Sequence, residues 1–321
     1  MTKSATRVAA DKATFTQAEV TAKDTAARAG RKNLILNGGM QISQRGDYSS
    51  LSYVGSVYTL DRWMINNSTA LGSIQHKAGY PYTNDKYMRV ECTTAGTGYI
   101  RLLQKFEGDA LKGKTVTLSA MVKSNSASAR LMTTANAVWE SNDGTAKHTG
   151  GGSWEKLSFT TTGTNGAVNP YFQIALAGVG HGNIAVGLGD YFEIANVQLE
   201  VGSVATDFEH RSYGEELADC QRYYWRAYDT YSLQGTRWFN EYFVTVVYPT
   251  DMRTTPTFTK SRAEVFTALS SAQVVQVSTN AIVNNPSKQS CELAVTCANV
   301  GVSAAVRLTA NTDWFALDAE L

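Results

Sequence analysis

The stretch TVTLSAMV, residues 115–122, alternates strictly, with Val116, Leu118, Ala120 and Val122 on one side and Thr115, Thr117 and Ser119 on the other. Successive side chains of a strand point to opposite faces, so this period of two predicts a half-buried antiparallel strand, apolar inward and polar outward. The pattern recurs on both sides of it. YMRVEC (87–92) places Met88, Val90 and Cys92 inward, and YFQIALA (171–177) does the same with Phe172, Ile174 and Leu176. DYFEIANVQLEVG (190–202) begins with Phe192 and Ile194 inward, then changes parity to Val197, Leu199 and Val201. That change predicts a β-bulge near Asn196. The loops SNDGTAKHTGGGS (141–153) and AGVGHGNIAVGLGD (177–190) separate strands. Short strands punctuated by turn signals predict a β-sandwich over residues 33–209.

Upstream, the pattern is helical. Thr16 and Glu19 make a capping box, Phe15 and Val20 fit a hydrophobic staple, and Gly30 is a natural stop. Val8, Phe15, Ala22 and Ala29 recur every seven residues among small neighbours, which suits a short oligomer bundle or a docked peptide better than an independent coiled coil. Val8, Phe15 and Val20 are the anchor candidates. At NLILNGGMQISQRG (33–46) the helical pattern gives way to what reads as the first strand, its amides serving as turn and strand-edge hydrogen-bonding groups. A second capping box, Ser212 with Glu215, opens a short helix with Leu217, Cys220 and Tyr224 on one face. From about Tyr223 the chain is β-like again, through EYFVTVVYP, TPTFT, AQVVQVS, CELAVTC and WFALDAEL. The expected segments are a helical anchor at 1–32, a β-sandwich at 33–209, and a β domain at 210–321 that begins with the short helix.

A chain of 321 residues suits about two domains. Lys+Arg 29 against Asp+Glu 28 gives a net charge of +1, which argues against nucleic acid or an anionic membrane as partner. No run long enough for a membrane span and no signal-peptide h-region occur, so synthesis in a reducing cytosol is expected. Asn66 and Asn67 of NNST then read as turn residues rather than glycosylation sites. Cys291 and Cys297 of CELAVTC would stand about 20 Å apart on a strand, beyond disulfide reach, so buried free thiols are expected.

Chemistry is sparse. His76, His148, His181 and His210 share no metal-ligand spacing, and H-E-x-x-H, C-x-x-C and G-x-S-x-G are all missing. GVGHGN (178–183) lacks the ending of a phosphate loop and reads as a surface loop with His181 exposed. Asp61, Asp85, Glu91, Asp109, Glu155, Asp190 and Glu193 offer carboxylates, but no pair is singled out. We expect no enzymatic activity, cofactor or metal. Aromatic side chains are the better signal, since they join apolar area to a polar tip. Trp139 and Trp154 flank loop 141–153, while Tyr231 and Trp238 sit by a glycine-containing turn with Tyr228 and Tyr242. These four, Tyr231, Trp238, Trp139 and Trp154, are the contact candidates, although most aromatics in such a chain serve core or subunit interface. Trp63 in YTLDRW (58–63) reads as a structural strand residue beside a local Asp61–Arg62 surface pair.

NLILNGGMQISQRG followed by YTLDRW resembles the opening of a β-sandwich module of bacteriophage tail fibres and related virion proteins. NVQLEVGSVATDFEHRSYGEELADCQRYYWR (196–226) resembles the end of that module and its junction with a C-terminal domain. VVYPTDMRTTPTFT (246–259) and WFALDAEL (314–321) resemble that C-terminal domain, so the likeness covers about residues 33–321. The modules are themselves similar to carbohydrate-binding jelly rolls. The resemblance implies an all-β fold of two β-sandwich-like, jelly-roll-type domains with a short N-terminal helix and a short inter-domain helix. It implies a structural and adhesive role in the virion, as a short tail fibre or receptor-binding subunit. Residues 1–32 would join another virion protein, the C-terminal domain would point outward to host cell-surface glycan, and the assembly would be a homotrimer. A capsid decoration, head fibre or adaptor is the alternative, and a polysaccharide depolymerase a third.

Overall fold

A computed structural model describes residues 31–46, 55–67, 73–78, 86–106, 111–133, 146–163, 171–178, 182–228, 232–234, 236–238, 241–260, 266–270, 274–276, 281–296, 304–308 and 314–320. The anchor candidates Val8, Phe15 and Val20, the loop residue His181 and Cys297 lie outside these residues. The chain is predominantly β, as expected. Its first twelve strands are β1 (Gly55–Tyr58), β2 (Met64–Asn67), β3 (Ser73–Ala78), β4 (Lys86–Glu91), β5 (Gly96–Gly98), β6 (Ile100–Lys105), β7 (Thr115–Ser124), β8 (Ala129–Thr133), β9 (Trp154–Thr162), β10 (Tyr171–Leu176), β11 (Ile184–Val186) and β12 (Tyr191–Val201). They form two antiparallel five-stranded sheets, ordered β1-β2-β6-β10-β8 and β3-β4-β12-β7-β9, with β5 and β11 paired separately.

The core lies between the two large sheets. Leu118, Val122, Phe192, Ile194 and Leu199 meet Leu102, Leu131, Phe172 and Ile174 across it. The alternation in TVTLSAMV therefore holds on its apolar side, with Val116, Leu118, Ala120 and Val122 all at or below 2% exposure. Its polar side differs from expectation, because Thr117 and Ser119 are buried too. Thr117 Oγ1 shares a hydrogen bond with Thr160 Oγ1 and donates to Gly202 O, so the segment leaving β12 comes back across this face. The bulge is where parity placed it: the β12–β7 register shifts between Ala195 and Gln198, and Asn196 has φ 51°. Beyond the bulge Val197 and Leu199 are buried as expected, but Val201 is 58% exposed at the strand's end.

The opening stretch corrects the sequence reading. Residues 33–46 form no strand; they run beside the bulged β12 and are held by side-chain amides. Asn33 accepts from Ile35 N and Leu199 N and donates to Val197 O. Gln104 closes a two-way pair with Leu36 N and O, as a neighbouring strand would. Asn37, in the left-handed region at φ 55°, accepts from Ile42 N and donates to Ile42 O and Asp61 O. Its carbonyl takes the indole N–H of Trp63, which is 1% exposed and immediately precedes β2. Gly38 is required here, because a Cβ would stand 2.2 Å from Val197 O.

The second group of strands follows helix α1 (Tyr213–Gln221), whose capping box between Ser212 and Glu215 is present in both directions. Eleven strands run from β13 (Tyr224–Tyr228) to β23 (Trp314–Asp318), in three sheets that share no strand with the sandwich among the described residues. The last strand, β23, sits between β13 and β17 (Thr257–Lys260). Phe315 on it packs against Trp225 and Phe258.

The two groups are joined by buried charge. Asp61 and Arg62 are not a surface pair: they are 0% and 2% exposed and each bonds elsewhere. Asp61 accepts from Gln44 N and from Arg45 Nη1, while Arg62 pairs with Glu320 near the C-terminus and donates to Lys105 O. Arg45 reaches Asp61, Asp318 and Glu320 and lies over the Tyr224 ring at 3.6 Å, and Arg62 lies likewise over Tyr223. Gln44 donates to Tyr224 O, and Arg226 donates to Arg45 O. On the other flank Glu216 of α1 accepts from Asn37 N, Arg211 bonds Asn33 O, and Arg31 pairs with Asp219. Arginine suits such places because its planar fork binds carboxylates while its face stacks on rings.

Candidate functional site

An apolar void between the sheets, bounded by Trp63, Leu118, Phe172 and Ile194, measures about 10 Å³, the least that holds one water. This void holds no ligand larger than water, whereas the outer faces of the sandwich present side chains on a larger surface. Strand alternation sends Phe172, Ile174 and Leu176 of β10 inward, so Tyr171, Gln173 and Ala175 face outward. Register brings Gln173 opposite Leu103 of β6 and Met132 of β8, and Ala175 opposite Arg101 and Arg130. On the next strand, Asn66 of β2 lies opposite Arg101.

The centre of this face is polar yet buried: Gln173 is 2% exposed, Arg130 5% and Arg101 8%. Its rim, Tyr99, Tyr171, Lys105 and Asn66, is half-buried. The Arg101 guanidinium lies 3.9 Å from the Tyr99 ring centroid. Burial pushes the Tyr171 phenol above its ordinary value, against the charge and hydrogen bond of Arg101. Gln173 donates from Nε2 to Met132 Sδ at 3.4 Å, but its Oε1 is buried with no donor. Asn66 is similar: Nδ2 donates to Ser56 Oγ, and Oδ1 has no donor. A buried carbonyl oxygen without a donor costs about 1–3 kcal/mol, and two such acceptors, both out of contact with solvent, lie on this face. Half-buried tyrosine rings at the rim offer apolar faces of the kind a sugar ring stacks on. None of the five strands carries Asp or Glu, so they supply no carboxylate pair for glycosidic hydrolysis.

Of the sequence candidates, only the Trp154 side chain is described. It heads β9 on the outer face of the other sheet, half-buried and edge-on to Tyr87 with ring centroids 5.8 Å apart. Trp139 and Tyr231 lie outside the described residues, and Trp238 is described only as backbone of β15 (Thr236–Trp238). Tyr99, Arg101, Tyr171 and Gln173 were not singled out in the sequence. For Tyr171 and Gln173 the signal was the polar side of YFQIALA, an amide alternating with Phe and Ile; Tyr99 and Arg101 had none.

Several other polar candidates are structurally engaged. His148, 1% exposed, accepts from Gly150 N at Nδ1, so its proton sits on Nε2 and goes to Ser153 O. Its segment also pairs with β8, through Leu131 N to Ala146 O and His148 N to Ala129 O, so this part of loop 141–153 is ordered onto the sheet edge. Glu155 takes the Thr149 hydroxyl and N–H, and Asp190 takes Gly187 N. Cys92, Cys220 and Cys291 are buried free thiols. Among the described residues no cluster of potential ligands would hold a metal, and no helix is long and apolar enough to cross a membrane.

No family model and no curated protein sequence matches the chain. Solved structures similar to it include the enzymatically active domain of tailspike protein 4 of bacteriophage CBA120, at 12% identity and a TM-score of 0.35 over 53% of this chain and 21% of that one. Another is the Clostridium thermocellum endo-1,4-β-D-xylanase 10B fragment, comprising a family 22 carbohydrate-binding module and a catalytic module complexed with xylohexaose. It matches at 13% identity and a TM-score of 0.34, over 54% of this chain and 29% of that one. The tandem family 22 modules of a Paenibacillus barcinonensis xylanase match at 10% identity and a TM-score of 0.30, over 87% and 96%. The chain thus spans about a fifth of the tailspike fragment, and likenesses this distant assign it neither ligand nor activity.

Proposed function

We propose that the chain is a non-enzymatic glycan-binding protein of a phage particle, a short tail-fibre or receptor-binding subunit. Residues 1–32 join it to another virion protein, and its β modules meet the host surface. The observation that carries the sugar-binding part is the outer face of β2-β6-β10-β8, where half-buried Tyr99, Tyr171 and Asn66 form a rim and Gln173 Oε1 and Asn66 Oδ1 are buried acceptors without a donor. The virion part rests on the resemblance of the opening, junction and closing phrases to tail-fibre proteins.

A glycan array probed with the full chain, followed by host-cell adsorption, tests both parts. Retention on a subset of glycans is expected, with Tyr99→Ala and Gln173→Ala each weakening it about tenfold or more. Equal retention by wild type and both variants would remove this face from the function. Immunogold labelling of assembled particles should place the protein on a tail appendage. Labelling spread over the capsid would move it to the decoration reading, and sedimentation equilibrium should give a trimer.

A further inference from the structure

We propose that the outer face of the β3-β4-β12-β7-β9 sheet is a second saccharide platform, taking a neutral glycan chain, on the side of the sandwich opposite Tyr99 and Tyr171. Because Met88, Val90, Phe192 and Ile194 point into the core, Tyr87, Arg89, Glu91, Tyr191 and Glu193 face outward. Three half-buried aromatic side chains stand on this face: Tyr87 on β4, Tyr191 on β12 and Trp154 on β9. The Tyr87 and Trp154 rings meet at 78° although their strands are separated by β12 and β7, so they lie across the sheet rather than standing off it. Buried Ala195, opposite Met121, keeps the floor beneath them low.

The charges on this face favour a neutral occupant. Arg89 donates to Glu91 Oε2 through Nε and Nη2 and to Glu193 Oε1 through Nη1, and Lys123 pairs with Glu193 Oε2 at 3.3 Å. The Arg89 guanidinium also lies 3.8 Å from the Tyr191 ring centroid. Arg89 and Lys123 are matched by Glu91 and Glu193 along one ladder, and Lys156, outward on β9 beside Trp154, donates to Thr206 O, so an ionic ligand would have to break existing contacts to be held. A neutral sugar need not: its C–H face stacks on an aromatic ring while its hydroxyls add to oxygens and N–H groups already fixed in place. Burial and the Glu193 charge push the Tyr87 phenol up, and it is a hydrogen-bond donor at neutral pH with or without that shift. The proposal does not depend on whether the Tyr99 face binds.

Isothermal titration of the full chain with cellohexaose, xylohexaose and mannohexaose, and with trigalacturonate as the anionic control, separates the possibilities. Two equivalents of a neutral hexaose per chain are expected, one lost in Tyr99→Ala/Gln173→Ala and the other in Tyr87→Ala/Tyr191→Ala. Trp154→Phe, which keeps an aromatic ring in place, should weaken the second equivalent severalfold without changing the melting temperature of the chain. A single equivalent abolished by Tyr99→Ala/Gln173→Ala and untouched by Tyr87→Ala/Tyr191→Ala overturns this proposal and leaves the first reading standing. A single equivalent with the opposite pattern supports this platform and removes the first face. Binding at this face that prefers trigalacturonate, or no binding of any hexaose by the wild type, overturns it.

Discussion

Glu320 is the most informative residue to perturb. Its carboxylate serves both Arg45 and Arg62, whose side chains are 7% and 2% exposed, and is itself 4% exposed. Removing one partner of a buried pair strands a charge that water cannot reach, at a cost of about 3–5 kcal/mol. Glu320→Ala should therefore lower the melting temperature by about 6–20 °C, taking the 2–4 °C per kcal/mol of a unit of 150–250 residues. Glu320→Gln should cost less, about 1.5–3 kcal/mol, because the amide oxygen still accepts from Arg62. The decisive comparison is Arg62→Met/Glu320→Leu. It removes a charge together with its partner and leaves Arg45 with Asp61 and Asp318, so it should be milder than Glu320→Ala alone. Differential scanning calorimetry reads all three. A Glu320→Ala loss under about 1 kcal/mol, or a double variant worse than the single one, would refute the reasoning. By the same geometry a chain truncated after residue 209 should melt lower than the intact one, because it loses Glu216, Arg211 and Glu320, which bond Asn37, Asn33 and Arg62.

Asp61 gives a pH signature. Burial raises its carboxyl from 3.8 to about 6, against the lowering pull of Arg45 and Gln44 N–H. A folded value above the unfolded one means its contribution is fully present below the unfolded value and is lost as pH rises through about 6. Relative to Asp61→Asn, wild-type stability should thus fall between about pH 4 and pH 6 in melting curves, and parallel curves would exclude the assignment. Gly38→Ala should destabilise by at least about 1–3 kcal/mol in urea titration, since backbone at 2.2 Å must move. Gln104→Leu leaves Leu36 N and O buried and unpaired and should cost about 1–3 kcal/mol, visible as faster amide exchange along 33–37. Ser212→Ala removes the α1 cap and should cost about 1 kcal/mol by the same titration.

What was legible in the sequence was local. Period two identified β7, β10 and β12 because a strand buried on one face writes that face into alternate residues. The change of parity located the bulge at Asn196 because one extra residue inverts every side chain that follows. The Ser212–Glu215 box fixed the start of α1 because both of its bonds lie within one turn. The proposed binding face was half legible. Alternation alone put Tyr171 and Gln173 outward, but nothing local said that Asn66, Arg101 and Arg130 would join them, since strand order and register are set between segments far apart in the chain.

The opening stretch marks the same limit. Its amides were correctly taken as hydrogen-bonding groups, yet its expected strand is an irregular segment, because its partners mix side chains with backbone and several of them lie 68 to 180 residues away. Asp61 and Arg62 looked like neighbours on a surface, and only the return of β23 alongside β13 carried Glu320 between Arg45 and Arg62 and buried them. The sequence by itself determined strands, bulge and cap, which depend on contacts within a few residues. The tertiary structure alone decided which charges are buried and which polar side chains share a face, because desolvation and register belong to the packed chain and not to any stretch of it.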